Sequence, residues 1–96
     1  MKTKTTATNY LLIHHKVKDF KKWKTTYDAH EPTRTAAGLT ESRLLRNTKS
    51  RNEVFILFEA ADVARAKVFC ASADLRHAMI KAGVLGKPDL TVLASA

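Results

Sequence analysis

Residues 53–59 read EVFILFE, a run of five consecutive apolar residues between two glutamates. Because successive side chains of a β-strand point to opposite faces of its sheet, a strand that is apolar at every position is expected to be buried on both faces. Residues 10–13, YLLI, have the same character at the start of a strand predicted over residues 10–17. We therefore expect these two strands at the centre of one sheet.

Two further strands are predicted to be more exposed. Residues 39–47, LTESRLLRN, mix apolar and polar side chains as an edge strand does, and a turn at residues 48–52 joins them to the central strand in a hairpin. Near the end of the chain, Gly86 and Pro88 predict a loop, and a short last strand follows over residues 90–93.

Helical periodicity appears in two regions, one after each central strand. In the first region Phe20, Trp23, Tyr27 and His30 recur at spacings of three or four residues, so they share one helical face, which Arg34 continues. Both regions contain residues of types that begin, break or end helices. These are the N-cap candidates Asp19, Asp62 and Ser72, the helix breaker Pro32, and the terminating Gly38 and Gly83. The second region is therefore predicted as two short helices.

The predicted element order is βαββαβ, which is that of a ferredoxin-like α+β fold: a four-stranded antiparallel sheet, in the order 4-1-3-2, with its helices on one face. Residues 1–96 are expected to form this single domain, with residues 1–8 as a flexible N-terminal tail. The helices can cover only one face of the sheet. We therefore expect a second copy of the chain to cover the other face, which gives a homodimeric α+β barrel.

The composition is that of a folded chain, with 45% hydrophobic and 27% charged residues. The 17 Lys and Arg against 9 Asp and Glu give a net charge of +8, which favours anionic partners or solubility. Cys70 is the only cysteine, so no disulfide forms within the chain and a cytoplasmic location is expected. No apolar run has membrane-spanning length, so no membrane partner is predicted.

RNA-recognition domains have the same element order and stack bases on aromatic residues of their central strands. Residues 51–58 match their third-strand motif in part, but Glu53 occupies the place of the first stacking aromatic residue. The exposed sheet face of such domains is polar, whereas here it is predicted to be apolar. Nucleic acid is therefore not expected as a partner.

The chain resembles the dimeric α+β-barrel superfamily, in particular small proteins related to antibiotic-biosynthesis monooxygenases, some of which are labelled as cyclases. The resemblance lies in HKVKDF at residues 15–20 with Trp23, YDAHEP at 27–32, AG at 37–38, RN at 46–47 with NEV at 52–54, and LRHAM at 75–79 with AGV at 82–84. It implies the fold and the dimer. It does not select an activity, because the superfamily holds cofactor-independent oxygenases, haem-degrading enzymes, isomerase-like enzymes and stress proteins.

No cofactor is expected. Haem-degrading members of the superfamily use a helical histidine preceded by a tryptophan, but Phe69 and Cys70 stand where that tryptophan would precede His77. Metal binding is not predicted either, because the adjacent His14 and His15 point to opposite faces of a strand and no other group has ligand spacing. The chain also lacks a glycine-rich phosphate loop, a nucleophile elbow and a CxxC motif, which argues against nucleotide and thiol-redox chemistry.

The candidate site lies on the first helical face, which must look at the sheet. A histidine and an arginine on a buried face need partners or a cavity, because an unpaired buried charge is costly. The candidate catalytic residues are His15 and His30, either of which could pair with Glu59 as a base with an orienting carboxylate. The candidate ligand-pocket residues are Trp23, Tyr27, Arg34 and Glu59.

Each of these residues also has a structural interpretation. The aromatic residues are explained by core packing alone, and a histidine such as His15 can be satisfied by a neighbouring hydroxyl or carbonyl group. The sequence thus predicts a pocket for a small, partly apolar or aromatic ligand in a monooxygenase-like or cyclase-like protein without bound metal or flavin. The alternative is a non-catalytic ligand-binding or structural dimer.

Overall fold

The computed structural model describes residues 8–96. The predicted N-terminal tail at residues 1–8 therefore lies, apart from Thr8, outside the described residues. The secondary structure consists of β1 (Asn9–Val17), α1 (Phe20–Ala29), α2 (Glu31–Ala36), β2 (Leu39–Arg46), β3 (Glu53–Ala60), α3 (Val63–Cys70), α4 (Ala73–Lys81) and β4 (Val84–Ala94). The predicted element order is confirmed.

The strands form one antiparallel sheet in the order β2-β3-β1-β4, which is the predicted order counted from the other edge. The two strands that are apolar on both faces, β1 and β3, lie at the centre and pair with Leu12 opposite Leu57. The fold is therefore the predicted ferredoxin-like α+β fold. No helix within residues 8–96 is long and apolar enough to cross a membrane.

The predicted helix boundaries are confirmed by their capping geometry. The side chains of Asp19, Asp62 and Ser72 each accept a hydrogen bond from the backbone amide three residues later, at 3.3, 3.1 and 3.2 Å respectively. Gly38 and Gly83 follow the ends of α2 and α4 with φ angles of 83° and 86°, a left-handed conformation that a side chain would strain.

The predicted interruption of the first helical region lies at His30, which separates α1 from α2. Pro32 stands in the first turn of α2, where no intrahelical amide donor is required, so the helix restarts there instead of ending. The restart keeps Arg34 on the same side as Trp23 and Tyr27, and all three side chains are buried.

The prediction of a loop at Gly86 and Pro88 was wrong. Strand β4 runs from Val84 to Ala94, and residues 86–88 lie opposite His15 as a bulge between two regularly paired stretches. Gly86 has a φ of 68°, and Pro88 lacks an amide, so both residues suit a bulge in an edge strand. Glycine and proline are also typical of loops, so the sequence alone did not distinguish a bulge from a loop here.

The sheet has two faces of different character. On the helix-covered face, Leu11 and His15 of β1 and Val54 and Phe58 of β3 are buried. The core on this side consists of Leu11, Val17, Trp23, Tyr27, Leu39, Val54, Ile56, Phe58, Ala60, Ala66 and Ala82. The opposite side, which we call the open face, presents Tyr10, Leu12, His14, Leu45, Phe55, Leu57 and Leu93 from paired positions of the four strands. No element of residues 8–96 covers it.

Candidate ligand cavity between the helices and the sheet

A cavity of about 70 Å³ lies between the helices and the helix-covered face of the sheet. Its walls include five of the residues singled out in the sequence: His15, Trp23, Tyr27, His30 and Arg34. They come from β1, α1, α2 and the junction between the two helices. The folding of the first helical region against β1 therefore brings the predicted aromatic, basic and cationic groups around one space.

Glu59 is not part of this cavity, and its predicted place in the pocket is corrected. It pairs with Tyr10 of β1 and Thr40 of β2, and its side chain is exposed. Side chains alternate along β3, so Glu59 points to the open face while Phe58 points to the helices. The sheet stands between Glu59 and both histidines, which excludes the predicted pairing of a histidine with this carboxylate.

Aromatic rings form one wall of the cavity. The Trp23 ring is only 3% exposed and stacks on Tyr27 with 4.7 Å between ring centroids. The hydroxyl group of Tyr27 donates a hydrogen bond of 2.7 Å to Oε1 of Glu41. Burial, followed by this hydrogen bond, raises the pKa of Tyr27 above its ordinary value. The Tyr27 phenol is therefore neutral, and its hydroxyl group already has a hydrogen-bond partner. Its ring forms part of the cavity wall.

Arg34 carries a buried positive charge. Its side chain is 8% exposed, and its Nη1 donates a hydrogen bond of 2.5 Å to the carbonyl oxygen of Tyr27. The guanidinium carbon lies 3.7 Å from the centroid of the Tyr27 ring and 5.9 Å from that of Phe58. None of the ion pairs in residues 8–96 involves Arg34. The cavity wall thus holds a cation that forms no ion pair with a carboxylate of residues 8–96.

The two cavity histidines have ring nitrogens without partners. His15 is 5% exposed and meets Trp23 edge to face, with 5.4 Å between ring centroids. Burial, and then the neighbouring His14, lower the pKa of His15 to about 4, so its ring is neutral at pH 7. The Nδ1 atoms of His15 and His30 are both buried and have no hydrogen-bond partner among residues 8–96. The predicted satisfaction of His15 by a hydroxyl or carbonyl group stays a prediction.

Helix α4 contributes apolar side chains to the cavity. Leu75, Ala78 and Met79 line it, although α4 contains no fully buried residue. Thr26, His30 and Ala78 also line a groove of about 590 Å³ on the protein surface. A second surface groove, of about 750 Å³, shares Ile13, Leu75 and Met79 with the cavity, so the cavity borders solvent-exposed grooves on two sides of α4. The sequence predicted that Leu75 and Met79 face inward, but it contained no sign that they border a cavity.

His77 lies on α4 outside this cavity. Its side chain is exposed and borders the surface groove instead. Cys70 is a free, half-buried cysteine, and burial raises the pKa of its thiol. A protonated thiol is a poor nucleophile, so Cys70 takes no part in the candidate site.

A second polar cluster, on the open face, was not predicted. His14 stacks on Phe55 with 4.4 Å between ring centroids, its Nε2 contacts Oε2 of Glu53, and its Nδ1 lies 3.3 Å from Oδ2 of Asp89. Hydrogen bonds from Asn47 and then from His14 lower the pKa of Glu53. In the part of the chain that the structure describes, no group of three or more His, Cys, Asp or Glu side chains could hold a metal ion.

No protein-family profile matches the chain, and no curated protein matches it by sequence. Solved structures do match it. A candidate antibiotic biosynthesis monooxygenase from Bordetella bronchiseptica is 14% identical, with 94% of this chain and 98% of that chain covered and a TM-score of 0.75. One from Caulobacter crescentus CB15 is 13% identical, with 95% and 92% covered and a TM-score of 0.69. One from Nitrosomonas europaea is 8% identical, with 98% and 95% covered and a TM-score of 0.68.

At these identities the likeness concerns the fold. The sheet order and the layer of helices define the class, which is that of ferredoxin-like α+β proteins. Within this class the chain has the fold of the small antibiotic-biosynthesis-monooxygenase-like proteins, as its resemblance to them predicted.

Proposed function

We propose that the chain is a small-molecule-binding protein that acts on its ligand as a monooxygenase-like or cyclase-like enzyme without bound metal or flavin. The ligand is small and partly apolar or aromatic, and it carries an anionic or carbonyl group. One observation carries this proposal: Arg34 is buried at the cavity wall without a carboxylate partner. An uncompensated buried charge costs several kcal/mol, and an anionic ligand would offset this cost.

The histidines supply the chemistry that both types of reaction need at their first step. A neutral imidazole can take a proton from a phenol or an activated carbon acid, and Arg34 would stabilise the resulting anion. His30 is the better candidate for the base, because it borders both the cavity and the surface groove and can pass the proton to solvent. His15, with a pKa of about 4, is a weak base and is suited to accepting a hydrogen bond.

The proposed assembly is a homodimer through the open face. Tyr10, Leu12, Phe55 and Leu57 form an apolar centre on the two middle strands, and Leu45 on β2 extends it with 53% of its surface exposed. An exposed apolar surface of this extent on a small protein is typical of an interface. Light scattering on a sizing column is expected to give about twice the chain mass of 10.7 kDa.

The proposed location is the cytoplasm, and the proposed partners do not include nucleic acid. The free Cys70 is compatible with a reducing compartment. Three carboxylates, Glu53, Glu59 and Asp89, stand on the face where an RNA-recognition domain stacks its bases, and they would repel phosphate groups. This arrangement supports a protein partner on the open face.

The second candidate function is a non-catalytic ligand-binding or structural dimer. The small volume of the cavity, about 70 Å³, favours this candidate, because it leaves little room for an aromatic substrate. The two candidates differ in turnover. If a ligand binds without any product formation or oxygen uptake, the non-catalytic binding function is favoured.

The experiment is a screen of quinol-like and other activated aromatic compounds, with binding followed by thermal shift and turnover by oxygen consumption and product analysis. His30→Ala and Arg34→Ala are expected to remain folded but to lose binding or turnover. Lys67→Ala is the matched control, because Lys67 is exposed and lies outside both the cavity and the groove at His30. Full activity in Arg34→Ala would contradict the proposal, and unfolding of His30→Ala would mark His30 as a structural group.

A further inference from the structure

We infer that this cavity is a site for a short aliphatic monocarboxylate, whose carboxylate is held by Arg34 and whose hydrocarbon end lies against α4. This inference rests on the proposed ligand-binding role of the cavity, and because acetate and propionate carry no phenol or activated C–H group, it favours the binding-protein candidate over the enzyme. It depends on three properties of the cavity, which are its unused donors, its single positive charge and its size.

The unused donors select a planar anion. A guanidinium group has five N–H donors in a flat fork, and Arg34 uses one of them, on Nη1, for the carbonyl oxygen of Tyr27. Its other nitrogens have no hydrogen-bond partner among residues 8–96 and remain accessible to solvent or to a ligand. Two parallel N–H groups match the two oxygens of a carboxylate, which is why arginine binds this group in a bidentate way. The Nδ1 atoms of His15 and His30 add two polar positions on the same wall.

The charge selects a monoanion. Among residues 8–96, Arg34 is the only Lys or Arg side chain on the cavity wall, the buried His15 is neutral at pH 7, and the Tyr27 hydroxyl is engaged by Glu41. A carboxylate therefore balances the charge of Arg34. A phosphate dianion would bring in a second negative charge without a partner, in surroundings where a buried charge is costly.

The size and lining select a short aliphatic chain. The cavity volume of about 70 Å³ is roughly half of the 150 Å³ of an engineered cavity that binds benzene. The cavity lining also includes the apolar residues Ile13, Phe69, Leu75, Ala78 and Met79. A ligand such as acetate or propionate would place its carboxylate at Arg34 and its hydrocarbon group against these residues. An aromatic ring exceeds this volume and would extend beyond the cavity.

Calorimetric titration of the full chain at constant ionic strength tests this inference. The titrants are the sodium salts of formate, acetate, propionate, butyrate, benzoate and chloride. Acetate or propionate is expected to bind most tightly, whereas benzoate and chloride bind at least about tenfold more weakly. Arg34→Met is expected to weaken acetate and propionate binding by about tenfold or more, because a charge-assisted hydrogen-bond pair is lost. Lys67→Met, the control, is expected to leave the affinities unchanged.

A second variant keeps the inference testable if Arg34→Met does not fold. Ala78→Leu fills the cavity from α4 without touching the charge, so it is expected to weaken propionate binding while formate binding is retained. Equal affinities of wild type and Arg34→Met for propionate would overturn the inference. Binding of phenols or benzoate that needs Arg34, without any binding of acetate or propionate, would also overturn it but would leave the proposed function standing. The absence of binding by all carboxylates and all phenolic compounds would contradict both.

Discussion

Acidification is expected to destabilise the protein through His15. The folded-state pKa of this residue is lowered to about 4, whereas an unfolded histidine has its ordinary pKa of 6.5. The unfolded chain therefore binds a proton at His15 more readily than the folded chain over this window, and stability is lost as the pH falls through it. Between about pH 7.5 and about pH 4.5, the loss from this group alone amounts to about 2.5 kcal/mol of unfolding free energy.

Urea denaturation measures this loss. Wild type and His15→Phe are compared at both pH values and at the same protein concentration. The variant cannot take up a proton at this position, so it is expected to lose about 2.5 kcal/mol less than wild type. Carboxylates such as Glu53, whose pKa is lowered, also destabilise the fold at acid pH, but they do so in both proteins and cancel in the difference. His77→Gln, the control at an exposed histidine, is expected to behave like wild type. An equal loss in wild type and His15→Phe, or an NMR titration of His15 near its ordinary pKa, would refute this reasoning.

Three further predictions concern packing, assembly and charge. Trp23→Ala is expected to lower the unfolding free energy by roughly 3–5 kcal/mol in urea denaturation, because a large buried ring is removed, whereas Trp23→Phe costs markedly less; equal effects would contradict its role as packed core. Phe55→Asp on the open face is expected to give a folded monomer by light scattering and circular dichroism, whereas Ile56→Asp, on the buried face, unfolds the chain. A dimer that persists in Phe55→Asp would remove the open face as the interface. RNA and DNA are expected to bind weakly, without sequence preference, and to dissociate as salt approaches physiological levels in a polarisation assay; tight binding that resists salt would favour a nucleic-acid function.

The open face and the cavity lie on opposite sides of the same central strands. His14 and His15 are neighbours in β1, yet one contacts Glu53 on the open face and the other contacts Trp23 at the cavity. A ligand that changes the charge near His15 would therefore act one residue away from the proposed dimer interface. Protein concentration needs to be held constant in any ligand titration, because binding and assembly both change apparent stability.

The sequence predicted the placement of the first helical face but not of Glu59. The spacing of Trp23, Tyr27, His30 and Arg34 is a local property of one helical region, and the structure brings all four to one cavity. The alternation along β3 likewise grouped Glu59 with Phe55 and Leu57. It could not say which side of the sheet the helices would cover, because that depends on how distant segments pack.

The sequence by itself determined the elements, their order and the central position of β1 and β3, because periodicity, caps and two-sided hydrophobicity are properties of short segments. Only the tertiary structure decided the partners of His14, the bulge opposite His15 and the volume beside Arg34. The contact of His14 with Asp89 depends on the register of β1 and β4 across 75 residues of sequence separation. The cavity depends on the distance at which α4 packs over the sheet. Both the strand register and the packing distance result from many contacts between segments that are far apart in the chain, so they cannot be predicted from any one segment.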